Sequence, residues 1–174
     1  MSKLARVRWE MGQTLLPEHL KAQEESVLAA TTLRFNMLGL PAYGVGNLIL
    51  NEALLVEGIL SAAEMTVVMA SGLLVDAPGN TVVPSFNLNV PGTTTVRVYF
   101  HVLMDEVPIN DSSMIQNTSE QEIPRTTYRS VLSTEQDYAG ADETIKLAEF
   151  EKNVEGKWTL SSAYTPPLLR LGAS

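Results

Sequence analysis

The two histidines, His19 and His101, limit the chemistry that this chain of 174 residues can carry out. Neither belongs to an H-x-x-x-H or H-E-x-x-H pattern, which would present two metal ligands on one helix face. The chain contains no cysteine, which excludes thiolate zinc sites, cysteine nucleophiles and disulfides. We therefore expect no metal, cofactor or catalytic site. We expect His19 to bond to a backbone carbonyl at a helix start, and His101 to be partly exposed on a strand.

Acidic side chains are the remaining candidates for acid or base chemistry. Four of them lie close together in the sequence: Glu135, Asp137, Asp142 and Glu143. A glycoside hydrolase needs two carboxyl groups at a defined separation in space, which the spacing along the chain does not give. A small hydrolase therefore stays open as the least favoured interpretation. A solvated acidic turn between two strands is the favoured one.

Other catalytic and nucleotide-binding motifs do not occur in the sequence. There is no G-x-S-x-G elbow, no Walker sequence and no calcium-loop spacing. Gly44 and Gly46 precede a predicted strand and do not open a helix, which is the wrong order for a dinucleotide fingerprint. The sequence predicts a protein that docks to partners and is not an enzyme.

Composition predicts one folded, cytoplasmic domain. Hydrophobic residues make up 45% of the chain and aromatic residues only 6%, so we expect a mainly aliphatic core. The net charge of −8 and the scattered basic residues disfavour nucleic acid binding. The charged N-terminus does not fit a secretory signal, and no apolar run is long enough to cross a bilayer. The lack of cysteine fits a reducing compartment.

The first predicted elements are a short strand over residues 4–9, a turn at Met11 and Gly12, and a helix. Pro17 suits the first helical position and Gly39 suits the left-handed residue after the last turn, so we expect a helix from 17 to about 38. A largely apolar stripe along it should face an apolar surface. The stripe consists of Leu20, Val27, Leu28, Thr31, Phe35 and Leu38.

The chain after Ala42 predicts short antiparallel strands separated by turns. The clearest strand covers residues 93–106, where alternate side chains should enter the core. The inward set is Val96, Val98, Phe100, Val102 and Met104, and the outward set is Arg97, Tyr99, His101 and Leu103. Residues 106–124 predict a long loop and a contact surface. We expect one domain over residues 1–174, mostly β, an antiparallel β-sandwich with one N-terminal α-helix.

Residues 6–25, RVRWEMGQTLLPEHLKAQEE, resemble the N-terminal signature of the TssK family, the baseplate proteins of bacterial type VI secretion systems. That signature is roughly V-x-W-x-E-G-M-F-L-x-P-Q-H-F-Q-x-Q. The matching residues are Val7, Trp9, Gly12, Leu15, Pro17, His19 and Gln23. The segments YGVGNLILNEALLVEGIL and YTPPLLRLGAS are similar to two further family segments, so the resemblance spans nearly the entire chain. Met11, Gln13, Thr14 and Leu20 depart from the signature, as does the turn at residues 76–80.

The resemblance implies a phage-like β-sandwich of the receptor-binding-protein shoulder type. It also implies membership of a homotrimer and attachment to the wedge proteins TssF and TssG, in a non-enzymatic role. Family members carry in addition a helical neck and a C-terminal head that reaches the membrane complex. Neither has a counterpart within residues 1–174, so we expect no membrane-complex contacts from them. An alternative with the same fold is a phage-tail-like receptor- or glycan-binding module, which exposed Trp or Tyr platforms would favour.

The candidate structural and interface residues lie at the start of the helix: Trp9, Gly12, Leu15, Leu16, Pro17 and His19. Trp9 is a large anchor, Gly12 permits a turn and Pro17 begins the helix. Our hypothesis is that this stretch locks the helix against the sandwich and orders a surface for neighbouring subunits. Leu15 and Leu16 are the exposed candidates for contact.

Overall fold

The computed structural model describes residues 3–39, 41–108 and 126–167. Two helices and ten strands follow one another along this part of the chain. They are α1 (Pro17–Met37), β1 (Gly44–Leu50), α2 (Glu52–Val56), β2 (Ile59–Leu60), β3 (Ala62–Val68), β4 (Leu74–Ala77), β5 (Thr81–Val82), β6 (Phe86–Asn87), β7 (Thr95–Pro108), β8 (Thr126–Ser133), β9 (Glu143–Lys152) and β10 (Trp158–Leu160). The predicted class, mostly β with one long N-terminal helix, is confirmed.

The largest sheet has five strands in the order β10-β9-β7-β8-β5, with β7 at its centre. All neighbours in it are antiparallel except β5 and β8, which pair in parallel through Thr81 with Tyr128 and Val82 with Arg129. A second sheet has the order β1-β3-β4, and β2 pairs with β6. The prediction of antiparallel strands therefore holds for every pair but one.

Both larger sheets contribute side chains to one hydrophobic core. Val45, Met65 and Val67 enter it from the three-stranded sheet, and Phe100 and Phe150 enter it from the five-stranded sheet; all five are fully buried. Because the two inner faces share this core, the arrangement is a sandwich. The core is largely aliphatic, as the composition predicts.

Strand β7 shows the predicted alternation along its inward face. Val96, Val98, Phe100 and Val102 are buried, which confirms the inward set except for Met104, whose side chain lies outside the described residues. The other face differs from the prediction at His101 and Leu103, which are only 0% and 6% exposed. The ring of Tyr138, from the connection between β8 and β9, stacks on His101 and covers it, which the alternation of one strand cannot reveal.

The secondary structure differs from the prediction in three places. Residues 5–10 form no strand, because they lie along helix α1 and have no sheet edge to pair with. Strand β7 continues to Pro108 into the predicted loop, and residues 109–124 of that loop lie outside the described part of the chain. The short helix α2 was not predicted; the side chain of Asn51 caps it by accepting a hydrogen bond from the backbone N–H of Leu54 at 3.2 Å.

The last described residues tie the two sheets together. The hydroxyl of Tyr164 donates to the backbone carbonyl of Lys146 in β9 at 2.9 Å, and the Lys146 ammonium lies 3.8 Å from the centre of the Tyr164 ring. Three residues later, the carbonyl of Pro167 accepts from the N–H of Val45 in β1 at 2.9 Å. The segment from Tyr164 to Pro167 therefore crosses from one sheet to the other.

Replacing Trp158 should destabilise the sandwich strongly. Its ring is 1% exposed, and its indole N–H donates to the side-chain oxygen of Asn89 at 2.9 Å. We expect Trp158→Ala to lower the free energy of unfolding by about 3–5 kcal/mol through cavity formation, measured by urea denaturation. The control is Leu160→Ala in the same strand, at a side chain 54% exposed, which should change it by less than about 0.5 kcal/mol. Equal losses in both variants would contradict the packing described.

Candidate functional site

The N-terminal segment and helix α1 carry an unusual number of exposed apolar side chains. We call this set the N-terminal surface. It consists of Leu4, Trp9, Met11, Leu15, Leu16, Leu20, Val27, Leu28, Leu33, Phe35, Met37 and Leu38. Only Ser26 is buried in the whole of α1. Exposed apolar side chains grouped on one segment often mark a site of protein contact, so the surface is the leading candidate for partner contact.

The apolar stripe predicted along α1 is present, but it is not covered within the chain. All six of its residues are exposed, including Leu20 at 53% and Val27 at 59%. Our hypothesis that the opening stretch locks the helix against the sandwich is therefore wrong for this face of the helix. A sequence pattern gives the apolar stripe but not the surface that covers it.

The start of α1 is held by local hydrogen bonds around His19. Pro17 is the first helical residue, as predicted, and Leu16 occupies the N-cap position, where its side chain cannot accept a hydrogen bond. His19 supplies the acceptor instead, with its ring Nδ1 3.3 Å from the backbone nitrogen of Leu16. The prediction of a local bond is right, but the partner is a backbone N–H and not a carbonyl.

A second donor competes for the same ring. The side-chain nitrogen of Gln13 lies 3.3 Å from Nε2 of His19, while its oxygen accepts from the N–H of Glu10 at 3.1 Å. A neutral imidazole has a single acceptor nitrogen, so His19 can satisfy either Leu16 or Gln13 at one time. The helix start therefore has two alternative hydrogen-bond arrangements.

Trp9 and Gly12 lie beside this helix start. The Trp9 ring meets the His19 ring edge-on, with centroids 5.8 Å apart and an interplanar angle of 83°. Trp9 is still 47% exposed, so the ring is available to a partner. Gly12 forms the predicted turn with φ of 79°, and a Cβ there would meet no atom within 4 Å. Backbone conformation, and not space, favours glycine at this turn.

The N-terminal segment and α1 enclose a groove of about 320 Å³. Val7 and Trp9 line it from the segment, Val27 lines it from the helix, and Arg6 and Arg34 add positive charge. Leu15 and Leu16, at 60% and 47% exposed, lie on the turn into the helix and are exposed as predicted. The structure thus places the six candidate residues around one helix start, with apolar and cationic chemistry next to each other.

A charged cluster lies on the five-stranded sheet. Glu149 accepts from Lys146 at 2.6 Å and from Arg97 at 2.9 Å. The hydrogen bond from Lys146 is the main reason that the pKa of Glu149 lies below its usual value; Arg97 adds to this, and burial opposes it. Burial raises the pKa of the neighbouring Tyr164. Glu149 is thus shared by two cations, Arg97 on β7 and Lys146 on β9, and the cluster holds these strands together, which is a structural role.

The four carboxylates considered for hydrolysis lie at and before the start of β9. Glu143 is occupied by Ser71, whose backbone N–H and hydroxyl donate to its two carboxylate oxygens at 3.0 and 2.5 Å. Glu135, Asp137 and Asp142 lie in the exposed connection between β8 and β9. Within residues 3–39, 41–108 and 126–167, no group of three His, Asp or Glu side chains could hold a metal ion. In the same ranges, no helix has the length and apolar character needed to span a membrane.

His101 is the buried functional group that sequence reasoning missed. Its Nε2 lies 2.7 Å from the hydroxyl of Ser133, its Nδ1 lies 2.8 Å from the hydroxyl of Thr144, and its ring stacks on Tyr138 with centroids 5.0 Å apart. Burial lowers the pKa of His101 below its ordinary value of 6.5; the backbone and the charge of Glu135 oppose this. Only pairing across three strands could have revealed this cluster.

Known proteins that resemble this chain agree with the fold described above. A family model named T6SS_VasE, described as bacterial type VI secretion proteins including EvfL, ImpJ and VasE, matches residues 19–113, more than half of the chain. Among solved structures, a cryo-electron microscopy structure of the type VI secretion system TssK-TssF-TssG baseplate subcomplex matches with a TM-score of 0.70 and 18% identity. No curated protein sequence matches the chain significantly.

Two further structures show the same fold. The baseplate complex from the type VI secretion system matches with a TM-score of 0.68 and 17% identity, and TssK from the EAEC system in complex with a nanobody matches with 0.57 and 18%. The matches cover 94% and 84% of this chain, respectively, and the subcomplex match also covers 94%. They cover 62%, 60% and 54% of the matched chains, so this chain spans about three fifths of the length of the first two.

Polar substitution on the N-terminal surface should leave the fold intact. Leu20 and Val27 are exposed, and glutamine is at least as good a helix former as valine. We expect Leu20→Gln and Val27→Gln each to change the free energy of unfolding by less than about 0.5 kcal/mol, and together to reduce the binding of a hydrophobic dye. Met65→Ala, in the core, is the control and should cost about 2–5 kcal/mol. A comparable cost at Leu20 would show that the stripe is buried.

Stability should decrease in mild acid because of His101. Its pKa in the folded chain lies below the ordinary 6.5, so between these two values the unfolded chain binds more protons and the free energy of unfolding rises with pH. Lowering the pH below about 6.5 should therefore weaken the fold. His101→Gln should flatten this part of the curve in urea denaturation from pH 7.5 to 5.5. His19→Gln is the control, and an unchanged slope in the His101 variant would refute the assignment.

Proposed function

Because the chain belongs to the T6SS_VasE family of bacterial type VI secretion proteins, we propose that it is a structural component of the secretion baseplate that docks onto TssF and TssG. We propose a non-enzymatic role, and we treat residues 1–174 as a single shoulder-like domain that works in the cytoplasm as part of a homotrimer. The uncovered N-terminal surface is the observation that carries the docking proposal.

The composition of this surface suits protein recognition. A rigid sandwich presents a helix whose apolar side chains, including Leu20 and Phe35, are exposed without a covering element among the described residues. Trp9 and Arg34 flank the groove, and tryptophan and arginine are the residue types most enriched at the energetic centres of interfaces. Burying this surface against a partner would remove apolar area from water at about 25 cal/mol per Å².

The fold likeness supports the same assignment. The matched structure is a TssK-TssF-TssG subcomplex, which contains the two proteins that we propose as partners, and the match extends over 94% of this chain. Because the identity is 18%, we propose TssF and TssG as partners of this chain by analogy with the matched structure. We propose the N-terminal surface as the docking site because it is apolar and exposed.

Trp9→Ala should weaken docking without unfolding the chain. We expect at least a tenfold weaker association with a purified TssF–TssG complex from the same secretion system, because a half-exposed tryptophan next to a groove is a typical interface anchor. The association is measured by light scattering, which also gives the mass of the chain alone and thereby tests for a trimer. Leu15→Ala combined with Leu16→Ala should have a similar effect.

Val82→Ala is the matched control for these variants. Val82 is 69% exposed on β5, outside the N-terminal surface, so its removal should leave binding unchanged. The docking surface would be wrongly placed if Trp9→Ala bound normally and kept its near-ultraviolet spectrum of tertiary packing. Failure of the unmodified chain to associate with TssF–TssG would overturn the baseplate proposal itself.

A further inference from the structure

A cavity of about 580 Å³ lies on the five-stranded sheet, apart from the N-terminal surface. It is formed where the connection from β8 to β9 folds over the outer face of β7 and β9. Its chemistry-bearing lining residues are Tyr99, Gln136, Asp137, Tyr138, Thr144 and Lys146. The volume is in the range of about 300–1,000 Å³ that is typical of small-molecule sites. Neither the core nor the proposed docking role uses this cavity.

The ring of Tyr138 is held in place from beneath. It stacks on His101 at 5.0 Å with an interplanar angle of 28°, and His101 is fully buried. Because the histidine covers one face of the ring, Tyr138 offers the cavity its opposite face or its edge. An aromatic ring supported in this way is ordered before any ligand arrives, which lowers the entropic cost of binding.

The hydrogen bonds around His101 determine which way each hydroxyl points. Ser133 donates its single hydroxyl proton to the backbone carbonyl of Glu135 at 3.0 Å, so it must accept from Nε2–H of His101. Nδ1 of the neutral ring is then an acceptor, and the hydroxyl of Thr144 donates to it at 2.8 Å. The lone pairs of Thr144 are left to accept a hydrogen bond from a group in the cavity.

The charges of the lining disfavour ionic ligands. Lys146 is paired with Glu149 at 2.6 Å and lies 3.8 Å from the centre of the Tyr164 ring, so it is not an unpaired cation, although Glu149 also pairs with Arg97 at 2.9 Å. Asp137 adds one carboxylate, and no metal-binding group of three side chains occurs in the described ranges. A phosphate would need unpaired cations and a metal ion would need more carboxylates.

The remaining groups match a ligand with many hydroxyls and no charge. A sugar ring has an apolar C–H face that packs on an aromatic ring and a polar rim that bonds to amides, carboxylates and hydroxyls. Tyr138 and Tyr99 supply the aromatic surface, while Gln136, Asp137 and Thr144 supply polar groups. We propose that this cavity is a binding site for a short neutral saccharide, in addition to the docking role.

Titration of the 174-residue chain with two trisaccharides tests the site. Maltotriose and triacetylchitotriose are added up to about 10 mM, since a small open site of this kind binds with a Kd of about 1 mM. Two-dimensional amide NMR spectra should show shifts confined to residues 136–146 and to the neighbouring part of β7. Tyr138→Ala should raise the Kd at least about tenfold, because it removes the supported ring.

Trp9→Ala is the control, because it removes an exposed aromatic ring from the N-terminal surface and leaves the cavity intact. It should bind the trisaccharide as the unmodified chain does. If Tyr138→Ala loses the dispersed spectrum of a folded chain, Gln136→Ala combined with Asp137→Ala tests the polar rim at two exposed positions and should also weaken binding. The proposal is overturned if neither trisaccharide shifts these resonances, or if inorganic phosphate shifts them more strongly than the sugars do.

Discussion

Strand β7 pairs with β8 along one edge and with β9 along the other, and the rest of the fold depends on this double pairing. One face of the strand carries Val96, Val98 and Phe100 into the core that both sheets share. Its other face carries His101 beneath the connection between β8 and β9. A single strand thereby aligns the core on one side and the polar cluster on the other. A slip in its register would move every one of these side chains to the wrong face.

Helix α1, unlike β7, buries almost none of its side chains. It is 21 residues long, yet Ser26 is its one buried residue, and helices of this kind gain most of their stability in proteins from packing. Pro17 and the ring of His19 support its first turn, but nothing in the described part of the chain covers its apolar stripe. The sandwich is thus complete in itself, while the helix is suited to a partner. This division is the basis of the proposal that the N-terminal surface docks to a partner.

The polar side of the five-stranded sheet is the basis of the saccharide proposal. Lys146 and Glu149 form an ion pair there, and the hydroxyl of Tyr164 donates a hydrogen bond to the backbone carbonyl of Lys146. Next to it, burial lowers the pKa of His101, which favours the neutral ring, and the hydroxyls of Ser133 and Thr144 hold the ring from both sides. These groups and the supported tyrosine ring are the basis of the proposal of an uncharged ligand.

The sequence by itself determined the elements whose signals are local. Pro17 and Gly39 marked the two ends of α1, because proline fixes φ and glycine tolerates a left-handed conformation. The alternation along β7 identified its core face, and the residues around Trp9 identified the family. Only the tertiary structure decided that α1 leaves its stripe exposed, that residues 5–10 find no strand partner, and that His101 is buried under Tyr138. These depend on which segments meet in space, and contacts between residues 32 and 43 positions apart, such as those of His101 with Ser133 and Thr144, leave no periodic trace along the chain.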